Sequence, residues 1–317
     1  MMIELNEKKV RKGRPLGLPY QGSKKKISKK IVEIIKQNFG TDKPIYDIFG
    51  GGGAITAECM LNGLEVYYND LDSTITDMFQ RVLSTDREFL KTLIISRDEF
   101  FKILDKENKT IDDELKLLVN SFGNNSKNYL YSEEFSDLKY NLAIEIIKKH
   151  DTFDEYKKTE TYKNAYRPFD NGKEKKNQCL QQLSRLQQLS RLQQLQRVQQ
   201  LERLQQLKQV EQLQQMEVTN LDYTAFSNVE SAIIYLDPPY ECTTHISYKT
   251  DTFNSHAFYD WAYEMSKKNI VLISSYEISD KRFECVYEFK TAKSTFAPNK
   301  KSGDRTEKLF IVKKGGE

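Results

Sequence analysis

The chain has 317 residues, 38% of them hydrophobic, and a net charge of +3 at pH 7. This length predicts one large α/β domain with an inserted lobe, and the apolar fraction is enough for a core. The small net charge does not by itself indicate a polyanionic partner. Residues 1–40 nevertheless hold eleven Lys and Arg against three Glu, so this segment either contacts phosphate or forms an exposed, solvated face.

The sequence argues against a secreted, a membrane-spanning and a zinc-binding protein. It begins with a charged segment, and no run reaches the roughly eighteen apolar residues that span a bilayer. Cys59, Cys179, Cys242 and Cys285 lie far apart without a Cys-x-x-Cys pair. We therefore expect a cytoplasmic protein with reduced thiols, no metal site and no membrane contact.

Residues 1–75 have the pattern of an α/β unit. The predicted elements are a helix over 25–38, a strand over 44–49, a helix over 54–62 and a strand over 64–68. Four consecutive glycines, residues 50–53, join the first strand to the second helix. A strand, a glycine turn, a helix and a strand in this order predict parallel pairing of the two strands.

Residues 76–170 are mostly helical by pattern, and we predict an inserted helical lobe there, interrupted by a polar turn over 121–127. Residues 217–317 return to strands and helices. The predicted elements are a buried strand over 232–236, a helix over 255–267, a buried strand over 269–274 and an edge strand over 307–313.

A low-complexity insertion of Leu and Gln fills residues 171–216, and its apolar residues recur at every third position from Leu180 to Met216. In an α-helix three residues turn about 300°, so such a stripe circles the helix. A 3₁₀ helix aligns the stripe but is rarely long, and a hexapeptide solenoid is a further alternative. Good helix propensity favours a helix. We interpret the insertion as a repeat expansion on the surface, with a partner-binding or self-associating arm over 180–216 as the alternative.

The strongest chemical motif is Asp237-Pro238-Pro239-Tyr240, which directly follows a predicted buried strand. The prolines stiffen the loop and leave carbonyls free to accept hydrogen bonds. The Asp237 carboxylate and a prolyl carbonyl could hold the hydrogens of a purine amino group, so that its nitrogen turns a lone pair toward an electrophilic methyl group. Tyr240 offers a ring for a base taken out of its stack. The alternative is a rigid turn that carries an acid by chance.

Two further motifs point to a cofactor that contains adenosine. Glycines 50–53 permit close approach of a ligand, and Asp70, at the end of the next strand, could bind ribose hydroxyls. The spacing fits neither the nicotinamide nor the ATP signature. The segment PYQGSK, residues 19–24, places Lys24 just before the first helix, where it suits a carboxylate. Taken alone, the glycines also fit a plain left-handed turn, and the lysine a basic helix cap.

The segments PYQGSK, DIFGGGGA, YYNDLD and YLDPPY follow one another here in an order that resembles the Dam-type DNA adenine methyltransferases of the alpha group. The resemblance covers 1–75 and 217–317. It implies a Rossmann-like, S-adenosylmethionine-dependent methyltransferase sheet with an inserted target-recognition lobe over 76–170. The expected substrate is double-stranded DNA, in a bacterial or phage-infected cell, where a restriction-modification role is typical, and the expected product carries a methyl group on N6 of a flipped adenine.

The resemblance also implies roles for individual residues. Lys24 and Asp47 are expected at the amino-acid end of the cofactor, Asp70 at its ribose and Asp222 near its adenine. The full predicted cofactor set is Tyr20, Lys24, Asp47, Phe49, Gly50, Gly51, Gly52, Asp70 and Asp222. The predicted catalytic residues are Asp237, Pro238, Pro239 and Tyr240.

The residues that recognise the DNA target are harder to identify from the sequence. Asn124, Asn125, Lys127 and Tyr129 combine amides, a cation and a ring, which suits DNA bases and phosphates but is equally typical of a solvated loop. Direct methyl transfer needs no metal and no covalent enzyme intermediate. The absence of a Pro-Cys dipeptide argues against methylation of a cytosine ring. Methylation of RNA or of a protein amide, and a non-catalytic scaffold that uses the leucine tract, are the alternatives.

Overall fold

The computed structural model describes residues 3–20, 22–150, 159–165, 192–211, 213, 216–241, 253–293 and 306–313. The chain divides into two compact units. The sheet unit consists of Met1–Leu18, Gly22–Phe79 and Gln206–Glu317, and the helical unit of Pro19–Gln21 and Gln80–Gln205. The sheet unit is therefore assembled from both ends of the chain. Predictions for the leucine tract before residue 192, and for Cys179 and Cys242, lie outside the described residues.

A mixed sheet forms the centre of the sheet unit. Its strands are β1 (Ile45–Asp47), β2 (Val66–Asn69), β3 (Val218–Thr219), β4 (Ile233–Leu236), β5 (Ile270–Ser275), β6 (Phe283–Lys293) and β7 (Thr306–Val312). Their order is β3-β2-β1-β4-β5-β7-β6. The first five strands run parallel, as predicted for β1 and β2, and β7 is antiparallel to both of its neighbours. This α/β sheet confirms the predicted fold class.

The prediction of an edge strand over 307–313 is wrong. β7 lies between β5 and β6, with Phe310 opposite both Ile273 and Cys285. The cause is β6, which was not predicted and which pairs with the outer side of β7. Leu309 and Phe310 are accordingly buried.

Helices cover the sheet and bury the apolar positions that the sequence pattern predicts. The helices within or entering the sheet unit are α1 (Ser28–Phe39), α2 (Ala54–Leu61), α3 (Ser73–Ser84) and, near the carboxyl end, α10 (Ser255–Met265). The isoleucines of α1 are fully buried, and the helix ends at Gly40, whose φ is 88°. Phe258 of α10 packs in one cluster with Ile234 and Ile273 of the sheet.

The helical unit is built from short helices with clear caps. They are α4 (Arg87–Lys91), α5 (Arg97–Leu104), α6 (Ile111–Asn120), α7 (Glu133–Glu145), continued by a π-helical turn at Ile146–His150, α8 (Glu160–Ala165) and α9 (Gln193–Leu204). Ser96 caps α5, and Thr110 caps α6 through a reciprocal pair of hydrogen bonds with Asp113. Phe100 and Leu117 lie in the core between α5 and α6.

The described part of the leucine tract differs from the expected surface insertion. α9 packs against α4 and α6, and its residues Leu195, Val198, Leu201 and Leu204 are all buried. Because other elements pack against α9 on more than one side, apolar residues that circle the helix can all be buried. The chain then tightens into a 3₁₀ helix over Gln205–Gln209, in which three residues per turn keep the stripe aligned. The helix prediction therefore holds here, and the surface location is wrong for residues 192–207.

None of the helices among the described residues is long and apolar enough to cross a membrane.

Candidate active site

Three carboxylates follow neighbouring parallel strands. Asp47 is the last residue of β1, Asp70 follows β2 and Asp237 follows β4. The carboxyl ends of parallel strands share one edge of the sheet, and the strand order reverses between β1 and β4, where open α/β sheets bind ligands. The charges of Asp237 and Asp70 both raise the pKa of Asp47, so the three groups interact. The structure thus brings these predicted residues together.

Two side chains hold the Asp237 carboxylate. Lys24 Nζ lies 2.8 Å from Oδ2, and the Tyr240 hydroxyl lies 3.0 Å from Oδ1. Lys24 belongs to the turn Lys24–Lys26 that precedes α1, and its ammonium is also 5.0 Å from the centre of the Tyr240 ring. Asp237 keeps 16% of its side chain exposed, so a ligand can still reach it. The lysine predicted for the cofactor therefore contacts the catalytic loop.

Glu307 completes this group and was missed in the sequence. Its Oε1 lies 2.5 Å from the Tyr240 hydroxyl, accepts a hydrogen bond from Ser274 Oγ at 3.0 Å and is 3.8 Å from Lys24 Nζ. The Tyr240 hydroxyl has one hydrogen for two carboxylates, so Glu307 and Asp237 compete for it. We call Lys24, Asp237, Tyr240 and Glu307 the charged cluster.

The charged cluster sets the ionisation of its central acid. Burial raises the pKa of Asp237 to about 6, the Lys24 ammonium opposes that rise, and the negative charge of Glu307 adds to it. The Lys24 ammonium, 2.8 Å away, favours the ionised form of Asp237, which can accept hydrogen bonds from an amino group.

Asp47 has one satisfied and one unsatisfied oxygen. Its Oδ2 accepts hydrogen bonds from the Thr56 amide at 3.1 Å and the Thr56 hydroxyl at 2.7 Å, whereas the buried Oδ1 has no partner among the described residues. Burial raises the pKa of Asp47 to about 7. A buried carboxylate oxygen without a partner is costly, and an ammonium or amide of a ligand would satisfy it.

Neighbouring side chains leave no room for a Cβ at two positions of the glycine turn, residues 50–53. A Cβ at Gly50 would lie 2.4 Å from the Tyr68 ring, and Gly53 has a φ of 69° and would meet Phe79 at 2.4 Å. Between them, the Gly51 amide donates to Asp70 Oδ2 at 2.8 Å. Burial raises the pKa of Asp70, and these backbone contacts fix its carboxylate at the mouth of the turn.

Two exposed leucines flank Asp70. Leu71 follows β2, and Leu221 follows β3, where the Asn69 side chain bonds to both its amide and its carbonyl at 2.9 Å. Exposed apolar side chains held next to a carboxylate suit the flat face of a base. No periodic pattern marks these leucines, because each lies in a loop after a strand.

Asp222, predicted near the adenine of the cofactor, caps the short helix Tyr223–Phe226. Its Oδ1 accepts hydrogen bonds from the Thr224 amide at 3.0 Å and the Thr224 hydroxyl at 2.6 Å, and its side chain is exposed. The next residues of this segment pack on the sheet, so Asp222 lies in a defined turn.

Phe49 lies in an aromatic cluster behind the glycine turn. Its ring stacks on Tyr223 and makes edge contacts with Phe253 and Phe258. Phe253 is a partly buried member of the same cluster.

The predicted DNA-contacting residues lie on a hairpin of the helical unit. Ser121 and Tyr129 pair in antiparallel fashion, and the Phe122 amide donates to Asn128 O at 2.7 Å. We call residues 120–130 the hairpin. Its tip carries positive φ angles at Gly123, Asn124 and Ser126, a sparsely populated conformation for the latter two.

The tip and the base of the hairpin differ in exposure. Lys127 is exposed, Asn125 Oδ1 accepts from the Lys127 amide at 2.9 Å, and Phe122 exposes 60% of its side chain. Tyr129, in contrast, is only 6% exposed, and its hydroxyl donates to Ile95 O at 3.1 Å. We therefore keep Asn124, Asn125 and Lys127 as candidate contacts and leave Tyr129 out.

Tyr20 belongs to the segment Pro19–Gln21, which clusters with the helical unit. Its role toward the cofactor stays a prediction.

A parallel sheet with acids at the ends of adjacent strands, and a rigid acid-proline loop at the switch point, defines the class of Rossmann-like methyltransferases. The model of the D12 class N6 adenine-specific DNA methyltransferases matches residues 20–293. The chain belongs to this family. It is therefore an enzyme that transfers a methyl group from S-adenosylmethionine to N6 of adenine in DNA. No curated protein matches the chain.

The residues at the sheet edge fit S-adenosylmethionine. The unsatisfied Asp47 Oδ1 suits its ammonium, Asp70 has lone pairs left for ribose hydroxyls, and Leu71 and Leu221 offer apolar contacts to its base.

Proposed function

We propose that Asp237, Pro238, Pro239 and Tyr240 form the loop that binds the target adenine and activates its amino group. The observation that carries the proposal is the position of the Asp237 carboxylate, which follows a buried strand and lies between Lys24 and Tyr240. The order of the sequence motifs along the chain favours the Dam-type arrangement of the alpha group. Enzymes with that arrangement are typical of restriction-modification systems and of phages.

In this mechanism the chain orients the adenine and takes up its proton. Asp237 accepts one hydrogen of the amino group and a prolyl carbonyl accepts the other, which turns the nitrogen lone pair out of the ring plane. Bound S-adenosylmethionine supplies an electrophilic methyl group on a sulfonium. The nitrogen lone pair forms the new bond to carbon as the carbon–sulfur bond breaks, and the proton that the nitrogen loses passes to Asp237.

Lys24 has to share Asp237 with the incoming amino group. Its ammonium pairs with Oδ2 at 2.8 Å and lies 3.8 Å from Glu307, so a small shift toward Glu307 frees a lone pair of Asp237. For the cofactor, we propose contacts with residues at the carboxyl ends of the strands and in the loops beside them: Tyr20, Asp47, Phe49, Gly50, Gly51, Gly52, Asp70, Leu71, Leu221 and Asp222.

For target recognition we propose the hairpin, within an inserted lobe that corresponds to the helical unit. Lys127 would contact phosphate, Asn124 and Asn125 base edges, and Phe122 a base or sugar face. The support is the exposed cation and ring at a tip with unusual backbone angles.

Self-association through residues 180–216 is the alternative use of the leucine tract. Leu195, Val198 and Leu201 are buried within the helical unit, so they are not available to a second copy of the chain. We propose double-stranded DNA as the partner of the chain, and no contact of Leu195, Val198 or Leu201 with a second copy.

Transfer of labelled methyl groups to duplex DNA tests the proposed catalytic loop. Asp237→Ala should lower the rate by about 10²-fold or more, because the amino group loses its acceptor. Cofactor binding, measured by calorimetry, should remain. Asp42→Ala, at an exposed carboxylate, is the matched control. Normal transfer by Asp237→Ala would refute the assignment.

A further inference from the structure

The two legs of the hairpin are joined at its base by buried polar groups. The Leu130 amide donates to Asn120 O at 2.8 Å, and the Ser126 amide donates to Ser121 Oγ at 3.0 Å. Asn120 and Ser121 are fully buried. The base is therefore fixed inside the helical unit, whereas the tip is exposed.

Gln194 of α9 bonds to both legs. Its Nε2 lies 2.5 Å from Asn120 Oδ1 on the incoming leg and 3.2 Å from the Tyr129 hydroxyl on the outgoing leg. The same nitrogen lies 3.2 Å from Ile95 O, which also accepts from Tyr129. Gln194 is fully buried, so its amide nitrogen links both legs of the hairpin to Ile95 away from water.

Arg197, one turn later in α9, holds the point where α6 passes into the hairpin. Its Nη1 donates to the carbonyls of Leu118 at 3.1 Å, Val119 at 2.9 Å and Ser121 at 2.5 Å. A cation at the carboxyl end of a helix satisfies its last carbonyls and its dipole. Arg197 is 7% exposed, so this contact is shielded from water.

These two residues stand out within an otherwise repetitive segment. Gln193 and Gln196, of the same residue type and on the same helix, are exposed, whereas Gln194 is not. Arg203 is half-exposed and contacts Gln199 of its own helix. The repeat therefore contributes two polar side chains to the base of the hairpin in addition to its buried leucines.

We propose that Gln194 and Arg197 of the leucine tract are positioning residues that set the conformation of the hairpin and thereby the DNA sequence selectivity of methylation. The inference rests on the proposed role of the hairpin in target recognition. It assigns the low-complexity segment a part in specificity, which neither its composition nor its period indicates.

The preferred DNA site is first identified by sequencing modified bases in DNA from cells that express the chain. The test then compares the methylation of duplexes that carry this site with the methylation of duplexes changed at one base pair of it. Arg197→Met and Gln194→Met should each lower the ratio of kcat/KM between the two duplexes by about tenfold, equivalent to about 1.4 kcal/mol. The affinity for S-adenosylmethionine should stay within about twofold of the wild type, since all the proposed cofactor contacts except Tyr20 lie in the sheet unit. Arg197→Lys, which keeps the cation at the end of α6, should recover part of the ratio.

Arg203→Met and Gln196→Met are the matched controls, because they make the same replacements on the same helix away from the hairpin. Both should leave the ratio unchanged. Amide hydrogen exchange at Phe122 and Leu130 should accelerate in the two test variants and not in the controls. An unchanged ratio, or unchanged exchange of the hairpin amides, in the test variants would overturn the proposal.

If neither test variant folds, hydrogen exchange in the wild-type protein decides the question. Slow exchange of the Phe122 and Leu130 amides, comparable with the α9 amides, supports the proposal, and exchange as fast as in an open loop overturns it. The role of the hairpin in DNA binding fails separately, if Phe122→Ala leaves the ratio unchanged and Lys127→Ala leaves the affinity for DNA unchanged in the otherwise wild-type protein.

Discussion

Glu307 is the residue through which the ionisation of Asp237 can be adjusted without altering the catalytic loop. It shares the Tyr240 hydroxyl with Asp237, accepts a hydrogen bond from Ser274 and lies near the Lys24 ammonium. Its negative charge raises the pKa of Asp237. An acid so placed affects the protonation of Asp237 through space and the position of Tyr240 through a hydrogen bond.

Replacing Glu307 by Gln should therefore lower the pKa of Asp237. Activity requires the ionised carboxylate, and burial raises the pKa of Asp237, so we expect the acid limb of the wild-type kcat/KM profile to lie above the usual range of an aspartate and to move to lower pH in Glu307→Gln. The measurement is methyl transfer between pH 5 and pH 8. Glu277→Gln, at an exposed acid that pairs with Lys308, is the control. An acid limb that stays in place or moves upward would show that Glu307 does not act on Asp237.

The sequence identifies Asp237 and Tyr240 because they stand together at the end of an apolar strand, and it identifies Asp70 by its distance from the glycines. It could not identify Glu307, which approaches Tyr240 across 67 positions of the chain through the pairing of β5 with β7. A contact that depends on the register of an antiparallel pair leaves no local signal. The same applies to Tyr129, whose hydroxyl accepts a hydrogen bond from a glutamine 65 residues away.

At the level of elements, α9 shows that low complexity does not imply exposure. Leu201 lies at the centre of α9 and is fully buried between helices of the helical unit. Leu201→Ala should lower the free energy of unfolding of this unit by about 2–5 kcal/mol, because it removes a buried side chain and leaves a cavity. Chemical denaturation followed by a helix signal measures the change.

Gln196→Ala, at an exposed position of the same helix, should change the free energy of unfolding by no more than about 0.5 kcal/mol and is the control for Leu201→Ala. If both substitutions cost equally little, α9 contributes nothing to the core.

The hairpin tip leads to a prediction about salt. Lys127 is exposed, and its amide is held by Asn125, which fixes the backbone from which the ammonium extends. Lys127→Ala should weaken binding to DNA of any sequence and reduce the slope of log affinity against log salt by about 1, because one phosphate contact is lost. Fluorescence anisotropy at several salt concentrations measures it. Lys102→Ala, on α5 outside the hairpin, should leave the slope unchanged; an equal effect of both would place no phosphate contact at Lys127.

Strands were predicted where apolar runs are bounded by turn residues, as for β4 and β5. β6 was missed in the sequence although Phe283, Cys285, Tyr287 and Phe289 recur at every second position, the pattern of a half-buried strand, and its pairing moves β7 away from the edge. The interior position of α9 could not be predicted, since a period of three fits no single face.

At the scale of the whole molecule, burial raises the pKa values of Asp47, Asp70 and Asp237 at one edge of the sheet. The pKa of Asp47 is about 7 in the fold against 3.8 for an exposed Asp, and that of Asp237 is about 6. A group whose pKa is raised on folding stabilises the fold fully below its unfolded pKa, and that contribution is lost as the pH rises through its folded pKa. The contribution of Asp47 therefore disappears between about pH 4 and pH 7.

The cofactor-free protein should accordingly lose stability relative to Asp47→Asn as the pH rises. The Tm of the wild type minus that of the variant should fall between pH 5.5 and pH 8, because the uncharged amide no longer titrates. Scanning calorimetry at both pH values measures the difference. Asp42→Asn, at an exposed carboxylate, should give a constant difference, and a constant difference for Asp47→Asn would contradict the raised pKa of Asp47.

The period of the leucine tract makes α9 sensitive to its own length. Repeated triplets lengthen and shorten in units of three residues, and three residues turn an α-helix by about 300° and advance it by about 4.5 Å. One extra triplet between Arg197 and Leu204 preserves the alternation of Leu and Gln. It rotates the residues before the insertion, including Gln194 and Arg197, about the helix axis relative to the residues after it. The apolar stripe keeps its pattern when a triplet is added. Gln194 and Arg197, in contrast, reach their partners at only one rotation of the helix about its axis. Only one repeat number within α9 is therefore compatible with the observed base of the hairpin, and natural variants that differ there should differ in that geometry first.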